Sequence, residues 1–182
     1  MPVTEPPLQR LRMSWEEYLA LPERPRAEWV DGEVVVTPAA SFEHQAVSRR
    51  LANRLETDLA GLHVYEAVNL RLPRDRIRIP DVAVFPSRER GYLSESVPVV
   101  VVEVLSPSTR SEDLLRKSVE YAEAGISQYW VLDPAASSLE VFDLVEGRWE
   151  PLLRLDDSTP TGEVVVDGHG TVPLDLRKIL ED

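Results

Sequence analysis

The spacing of apolar and polar residues changes period several times along the chain, and each change marks an element. Ser14-Trp15-Glu16-Glu17 has the Ser-x-x-Glu spacing in which each side chain caps the other's backbone, so a short helix opens there and ends by Pro22. Ala27-Glu28-Trp29-Val30 and Glu33-Val34-Val35-Val36 flank Asp31-Gly32, a pair suited to the positive φ of a tight turn, which predicts a hairpin. Ser41 is placed to cap a helix that runs to about Ala60. Val47, Leu51, Leu55 and Leu59 form its apolar stripe, His44 and Arg54 fall outside that stripe, and Gly61 supplies the stop. Residues 64–72 alternate as one strand, and Pro73-Arg74-Asp75-Arg76 turns the chain into the next.

Two stretches then break the alternation by being apolar almost throughout. They read Arg78-Ile79-Pro80-Asp81-Val82-Ala83-Val84-Phe85 and Pro98-Val99-Val100-Val101-Val102-Glu103-Val104-Leu105. Such runs predict neighbouring strands covered on both faces, with residues 97–105 central and adjacent to 79–85. Thr109 or Ser111 caps a following helix closed by Gly125, and residues 126–132 form a strand ended by Asp133-Pro134. Short strands at 139–145, 149–155 and 163–166 and a short helix near 174–180 complete the chain. The order of elements predicts an α/β fold: a mixed β-sheet flanked by helices, with a C-terminal β-extension. Residues 1–12 read as an extended arm and 13–182 as a single domain.

Composition narrows the function classes. The chain of 182 residues has no Cys, which leaves no disulfide scaffold, thiol nucleophile or thiolate metal site. No targeting segment is visible at the N-terminus and no apolar run approaches the roughly 20 residues that span a bilayer, so a cytoplasmic protein without a membrane partner is expected. The net charge of −12 argues against broad, non-specific binding of nucleic acid. Arg71, Arg74, Arg76 and Arg78, with Arg88, Arg90, Arg110 and Arg116, are either solvated arginines or a localised basic groove. The lysines are Lys117 and Lys178 alone. There is no Gly-rich phosphate loop and no His-Glu-x-x-His helix, and Ser106 and Ser108 lie outside any Gly-x-Ser-x-Gly context.

The chemistry rests on Asp81 and Glu103. A carboxylate near the end of a buried strand is costly unless paired, hydrogen-bonded or bound to a cation. Two from neighbouring strands can share one Mg²⁺ or Mn²⁺, with the carbonyl of Val104 as a further oxygen. Lys117, about two turns into the next helix, can project back over the strand ends and place an ammonium beside them. A divalent ion and a neighbouring cation are what phosphodiester hydrolysis needs. Each residue also has a plainer role: Asp81 as a turn acid, Glu103 in a buried Glu–Arg or Glu–Lys pair, Lys117 as a solvated lysine, and His44 as a helix-start residue. Tyr121 reads as core or as a neighbour of the site, and Trp15, Trp29, Trp130 and Trp149 read as core.

Taken jointly, a longer set of residues resembles a known family. Asp31-Gly32, Pro38, His44, Pro80-Asp81-Val82-Ala83-Val84, Glu103-Val104-Leu105-Ser106-Pro107-Ser108-Thr109, Asp113-Leu114-x-x-Lys117, Tyr121, Ala124-Gly125 and Tyr129-Trp130-x-x-Asp133-Pro134 look like the Uma2 family, bacterial proteins of the PD-(D/E)XK restriction-endonuclease-like superfamily. The likeness spans about residues 13–155. It implies a restriction-endonuclease-like core and a metal-dependent endonuclease acting on DNA, with Asp81, Glu103 and Lys117 at its site and an upstream acid, Glu28, adding a metal or water contact. His44 and Tyr121 would contact phosphate or support the site. The superfamily lysine is expected two residues after the second acid, where this chain has Leu105; Lys117 is then a lysine migrated into the helix. A non-catalytic module that binds nucleic acid or protein on the same fold is the alternative. Symmetric cutting of two strands points to a homodimer.

Overall fold

The computed structural model describes residues 8–21, 27–107 and 109–181. The expected helix stop at Pro22, the first part of the arm and Ser108 lie outside the described residues. In chain order the elements are β1 (Gln9–Arg12), helix α1 (Trp15–Leu19), β2 (Ala27–Val30), β3 (Glu33–Val36), α2 (Phe42–Asp58), β4 (His63–Glu66), β5 (Asn69–Leu72), β6 (Arg76–Arg78), β7 (Val82–Phe85), β8 (Leu93–Ser94) and β9 (Val100–Val104). A π-helical segment, Glu112–Lys117, runs into α3 (Ser118–Glu123); then come β10 (Gln128–Asp133), β11 (Ser138–Val145), β12 (Arg148–Leu155), β13 (Thr161–Val166), β14 (Gly170–Asp175) and α4 (Leu176–Leu180). No helix among the described residues is long and apolar enough to cross a membrane.

The local signals explain the short elements. Ser14 and Glu17 cap α1 reciprocally, and Asp31 and Gly32 turn the β2–β3 hairpin with φ of 52° and 86°. Two sheets form, in strand order β1-β3-β2-β6-β5-β8 and β12-β11-β10-β9-β7-β4, beside the hairpin β13-β14. The second sheet is mixed: β9 pairs antiparallel with β7 and parallel with β10. On one of its faces the stripe Val47, Leu51 and Leu55 of α2, with Leu59 just past its end, packs on Val82, Val84, Val100 and Val102, and the β13-β14 hairpin joins the same core through Val164, Val172 and Leu174. Each fully buried leucine there stabilises by about 1.5–3 kcal/mol relative to exposure. On the other face Tyr121 of α3 packs with Ala83, Phe85, Val101, Leu105 and Tyr129.

Several boundaries differ from the sequence expectation. The single strand at 64–72 is two strands, β4 and β5, in different sheets. Ala67 between them takes φ 52° and donates its N–H to the Asp81 carbonyl at 3.1 Å, which turns the chain from one sheet to the other. The run 78–85 is split the same way into β6 and β7. Pro80 has no N–H to continue a ladder, so residues 79–81 form the crossing and Asp81 stands just ahead of β7. Strand β14 occupies residues where the last helix was expected to begin, and β8 was not foreseen. Ser111 has helical φ and ψ and makes no capping bond. Of the tryptophans only Trp130 is fully buried; Trp15 packs edge-to-face on Trp29, their centroids 5.2 Å apart, and Trp149 donates to the Ser118 carbonyl.

Candidate active site

The pleat of the second sheet brings the acids together. Val100, Val102 and Val104 face α2, so Glu103 faces the α3 side with Val101 and Leu105. Val82 pairs with Val102, and one step further along this antiparallel ladder Asp81 comes level with Glu103. Asp81 Oδ2 accepts from the Val104 N–H at 2.8 Å. His44, in the first turn of α2, places Nε2 3.0 Å from the Val104 carbonyl oxygen and 3.3 Å from Asp81 Oδ2. The start of α2 is thus pinned to the ends of both central strands.

Lys117 arrives from the opposite side. Its Nζ donates to the two Glu103 oxygens at 3.0 and 3.1 Å, and lies 3.0 Å from Asp113 Oδ1 and 3.3 Å from Glu28 Oε1. The Tyr121 hydroxyl donates to Glu103 Oε1 at 2.6 Å. Glu112, Asp113 and Lys117 of the π-helical segment, with Glu120 and Tyr121 after it, are all buried. The wide π turn, closed between residues five apart, lets this many polar side chains share the face turned to the sheet. A cavity of about 30 Å³ is lined by His44, Asp81, Glu103, Asp113 and Lys117, beside Ser106 and Thr109. A single water-sized occupant needs roughly 10–15 Å³.

Behind Lys117 lies a second ionic cluster. Arg78, fully buried, faces Glu28 at 2.8 Å, Glu112 at 2.8 Å and Glu120 at 2.6 Å. Ile79 donates its N–H to Glu28 Oε1 at 2.8 Å, and Arg10 of β1 pairs with Glu112. Arg76 bridges Asp31 and Glu123 and comes within 3.9 Å of Glu120.

The titrations follow from this layout. Burial pushes Glu103 well above the ordinary carboxylate range; Lys117 opposes the shift, but the charges of Asp113 and Asp81 reinforce it. Asp113 is raised for the same first reason, burial, which outweighs the nearby Lys117 charge and the hydrogen bond from Thr109. Burial also raises Glu28, yet Lys117, Arg78 and the Ile79 N–H together hold it below its usual value. Burial disfavours the Lys117 ammonium, and Asp113, Glu103 and Glu28 more than reverse that, so it stays protonated.

Several carboxylates sharing one ammonium leave an excess of negative charge facing the cavity. That excess, with oxygen donors on the lining from Asp81, Glu103 and Asp113 and the Val104 carbonyl held by His44 beside it, fits a hard divalent cation in chemistry. Among the described residues no three His, Asp or Glu side chains already stand together as ligands. Lys117 holds Glu103, and His44 with the Val104 N–H holds Asp81.

Of the residues singled out from the sequence, Asp81, Glu103, Lys117 and His44 line the cavity, the Val104 carbonyl meets His44, and Tyr121 touches Glu103 from behind. Glu28 reaches Lys117 from the rear and is not part of the lining. The arginines at 71–78 form no open basic groove: Arg71 pairs with Asp75 and Glu95, Arg74 with Glu123, and Arg76 and Arg78 are buried in ion pairs. Sequence reasoning gave Asp113 and Arg78 no place in the site. The i,i+4 spacing of Asp113 and Lys117 was the available signal for the first. For Arg78 there was none beyond its position in an apolar run.

Comparison with known proteins agrees with this architecture. The model of the Uma2 family, described as "Putative restriction endonuclease", matches residues 15–169. An uncharacterized protein of Synechocystis is 32% identical over 139 residues, covering 71% of this chain and 72% of its own length. The fold is similar to that of a crystal structure from Anabaena variabilis, described as a "putative nuclease", with a TM-score of 0.72 and 18% identity over 91% of this chain and 96% of the other.

Proposed function

The chain belongs to the Uma2 family, and from that premise we propose that it is a divalent-metal-dependent endonuclease hydrolysing DNA phosphodiester bonds. The observation that carries this reading is the meeting of Asp81, Glu103 and Lys117 at one cavity with unbalanced negative charge. Asp81, Glu103 and the Val104 carbonyl would hold Mg²⁺ or Mn²⁺. When bound, such an ion offsets charge on the phosphate and lowers the pKa of an attacking water. The chain's own groups do the rest. Lys117 keeps a permanent, compact positive charge at the cavity wall, suited to a phosphate oxygen or to the attacking water. Tyr121 fixes the Glu103 carboxylate, and His44 steadies Asp81 and the Val104 carbonyl. The position two residues after Glu103, just past β9, is occupied by Leu105, buried in the apolar core, so the ammonium comes from the helical segment instead. Two copies about a twofold axis would offer one such site to each strand of a duplex.

The second reading is a non-catalytic module that binds nucleic acid or protein. It is favoured by the Lys117 ammonium being engaged by Glu28, Glu103 and Asp113 at once. Nicking of supercoiled plasmid in Mg²⁺ or Mn²⁺ separates the two. Wild type is expected to nick, Glu103→Ala to be inactive, and Lys117→Ala to lose roughly 10²–10³ in rate, the usual cost of one preorganised electrostatic contact. Lys117→Arg is not expected to rescue, because a planar guanidinium cannot take the place of a compact ammonium among these acids. A folded wild type that never nicks would hand the fold to the second reading.

A further inference from the structure

We propose that Asp113, and not Glu28, is the third acid of the cation site, and that Glu28 belongs to the clamp that holds Lys117 from behind. The assignment rests on the metal-dependent reading above. Its first support is position: Asp113 lines the cavity with Asp81 and Glu103, whereas Glu28 does not. Its second is how far each acid is already satisfied. Glu28 Oε1 accepts from the Ile79 N–H at 2.8 Å and lies 3.3 Å from Lys117, and its Oε2 faces Arg78 at 2.8 Å. Turning Glu28 to the cavity would break these contacts and leave part of the buried Arg78 charge unmatched, which is strongly unfavourable. Among the described residues Asp113 faces no arginine. Its carboxylate accepts from Thr109, but its buried Oδ1 meets Lys117 at 3.0 Å without an aligned hydrogen bond, and Lys117 is shared with Glu103 and Glu28.

The third support is charge. Once Asp81, Glu103 and Asp113 are all ionised, Lys117 offsets one of their three charges, which leaves two negative charges at the cavity, the charge of one divalent ion. Glu28, in place of Asp113, is an acid already held by the Arg78 guanidinium, which it shares with Glu112 and Glu120, and by the Ile79 N–H.

Mn²⁺ titration by calorimetry tests the assignment without any appeal to cleavage. Asp113→Asn is expected to bind Mn²⁺ about 10–100-fold more weakly than wild type, the range seen when groups supporting a metal site are removed. Asp81→Asn is expected to lose at least as much, and Glu28→Gln to stay within about threefold of wild type. An indirect effect through Lys117 is separated by a double-mutant cycle. In a Lys117→Gln background Asp113→Asn should still weaken Mn²⁺ binding by roughly tenfold or more. Wild-type affinity in Asp113→Asn, a loss that vanishes in the Lys117→Gln background, or an equal loss in Glu28→Gln overturns the assignment. Should Asp113→Asn fail to give a cooperative melt, Asp113→Ala is read in its place against the same thresholds. Wild type that binds no Mn²⁺ overturns the metal reading and this assignment together. Loss in Asp113→Asn with none in Asp81→Asn keeps Asp113 and breaks the ligand set proposed for the enzyme.

Discussion

Two buried ionic clusters lie back to back across Glu28, acids gathered around Arg78 in one and around Lys117 in the other, with opposite outcomes. Around Arg78 each buried acid meets a guanidinium: Glu28, Glu112 and Glu120 all face Arg78, and Arg10 and Arg76 approach Glu112 and Glu120 in addition, away from the cavity. Around Lys117 the acids share one ammonium, and the surplus acids open on the cavity. Glu28 and Glu103 make the contrast at the level of one side chain. Both are buried and both touch Lys117, yet Glu28 is lowered and Glu103 raised. Arg78 and a backbone N–H are what Glu28 has in addition, while Glu103 has Asp113 and Asp81 against it. A matched cluster is a brace between β2, β6 and the helix. The unmatched one is where the proposed cation would sit.

The sharpest way to break the comparison is to remove Arg78. Arg78→Met keeps much of the volume but leaves Glu28, Glu112 and Glu120 without their shared partner. Uncompensated buried charge of this kind costs about 3–5 kcal/mol. Urea unfolding followed by circular dichroism should show a loss of that size. A loss below about 1 kcal/mol would mean that the brace carries little and that the two clusters are not different in kind.

A smaller effect tests the unmatched side. Because the folded state raises Glu103 above its unfolded value of about 4.3, the folded state binds the proton more tightly there. The sign follows: its contribution to stability is present below the unfolded value and is lost as pH rises towards the folded one. Asp113 acts in the same sense, and Glu28, being lowered, in the opposite sense at more acid pH. Metal-free melts should therefore fall as pH climbs above the ordinary carboxylate range, and Glu103→Gln should flatten that fall. Equal slopes in the two proteins would remove Glu103 as its source.

What the sequence made legible, and what it did not, divides along the same line. An acid inside a valine run is conspicuous because burial without a partner is so costly, so Asp81 and Glu103 could be paired before any coordinates. The capping box at Ser14 and the turn at Asp31-Gly32 are local and equally readable. The splitting of 64–72 and 78–85 between two sheets was not, since residue periodicity reports burial and says nothing of which sheet a strand joins. The π turn escaped for a similar reason, its pattern being indistinguishable from an ordinary helix with several polar residues on the inner face. Above all, Arg71, Arg74, Arg76 and Arg78 look alike in sequence. Only partners as remote as Glu28 and Glu120 decide which of them is buried.

Arg74 provides the smallest effect and the control for Arg78. The two lie four residues apart and both reach glutamates of α3, Arg74 pairing with Glu123 at 2.9 Å and Arg78 with Glu120 at 2.6 Å. Arg74 is 64% exposed in its side chain, so water competes for both partners and its pair gains little. Its φ of 65° adds no complication to Arg74→Ala, since both residues carry a Cβ and meet the same left-handed strain. The substitution should cost about 0.2–1 kcal/mol, and added salt should shrink that cost because an exposed pair is screened. Arg78→Met, measured beside it, should keep its full penalty at the same ionic strength, since its partners are sealed from solvent. Should Arg74→Ala match the Arg78 loss, or should salt relieve both alike, burial would not be what separates the brace from the surface, and the comparison would fail at its base.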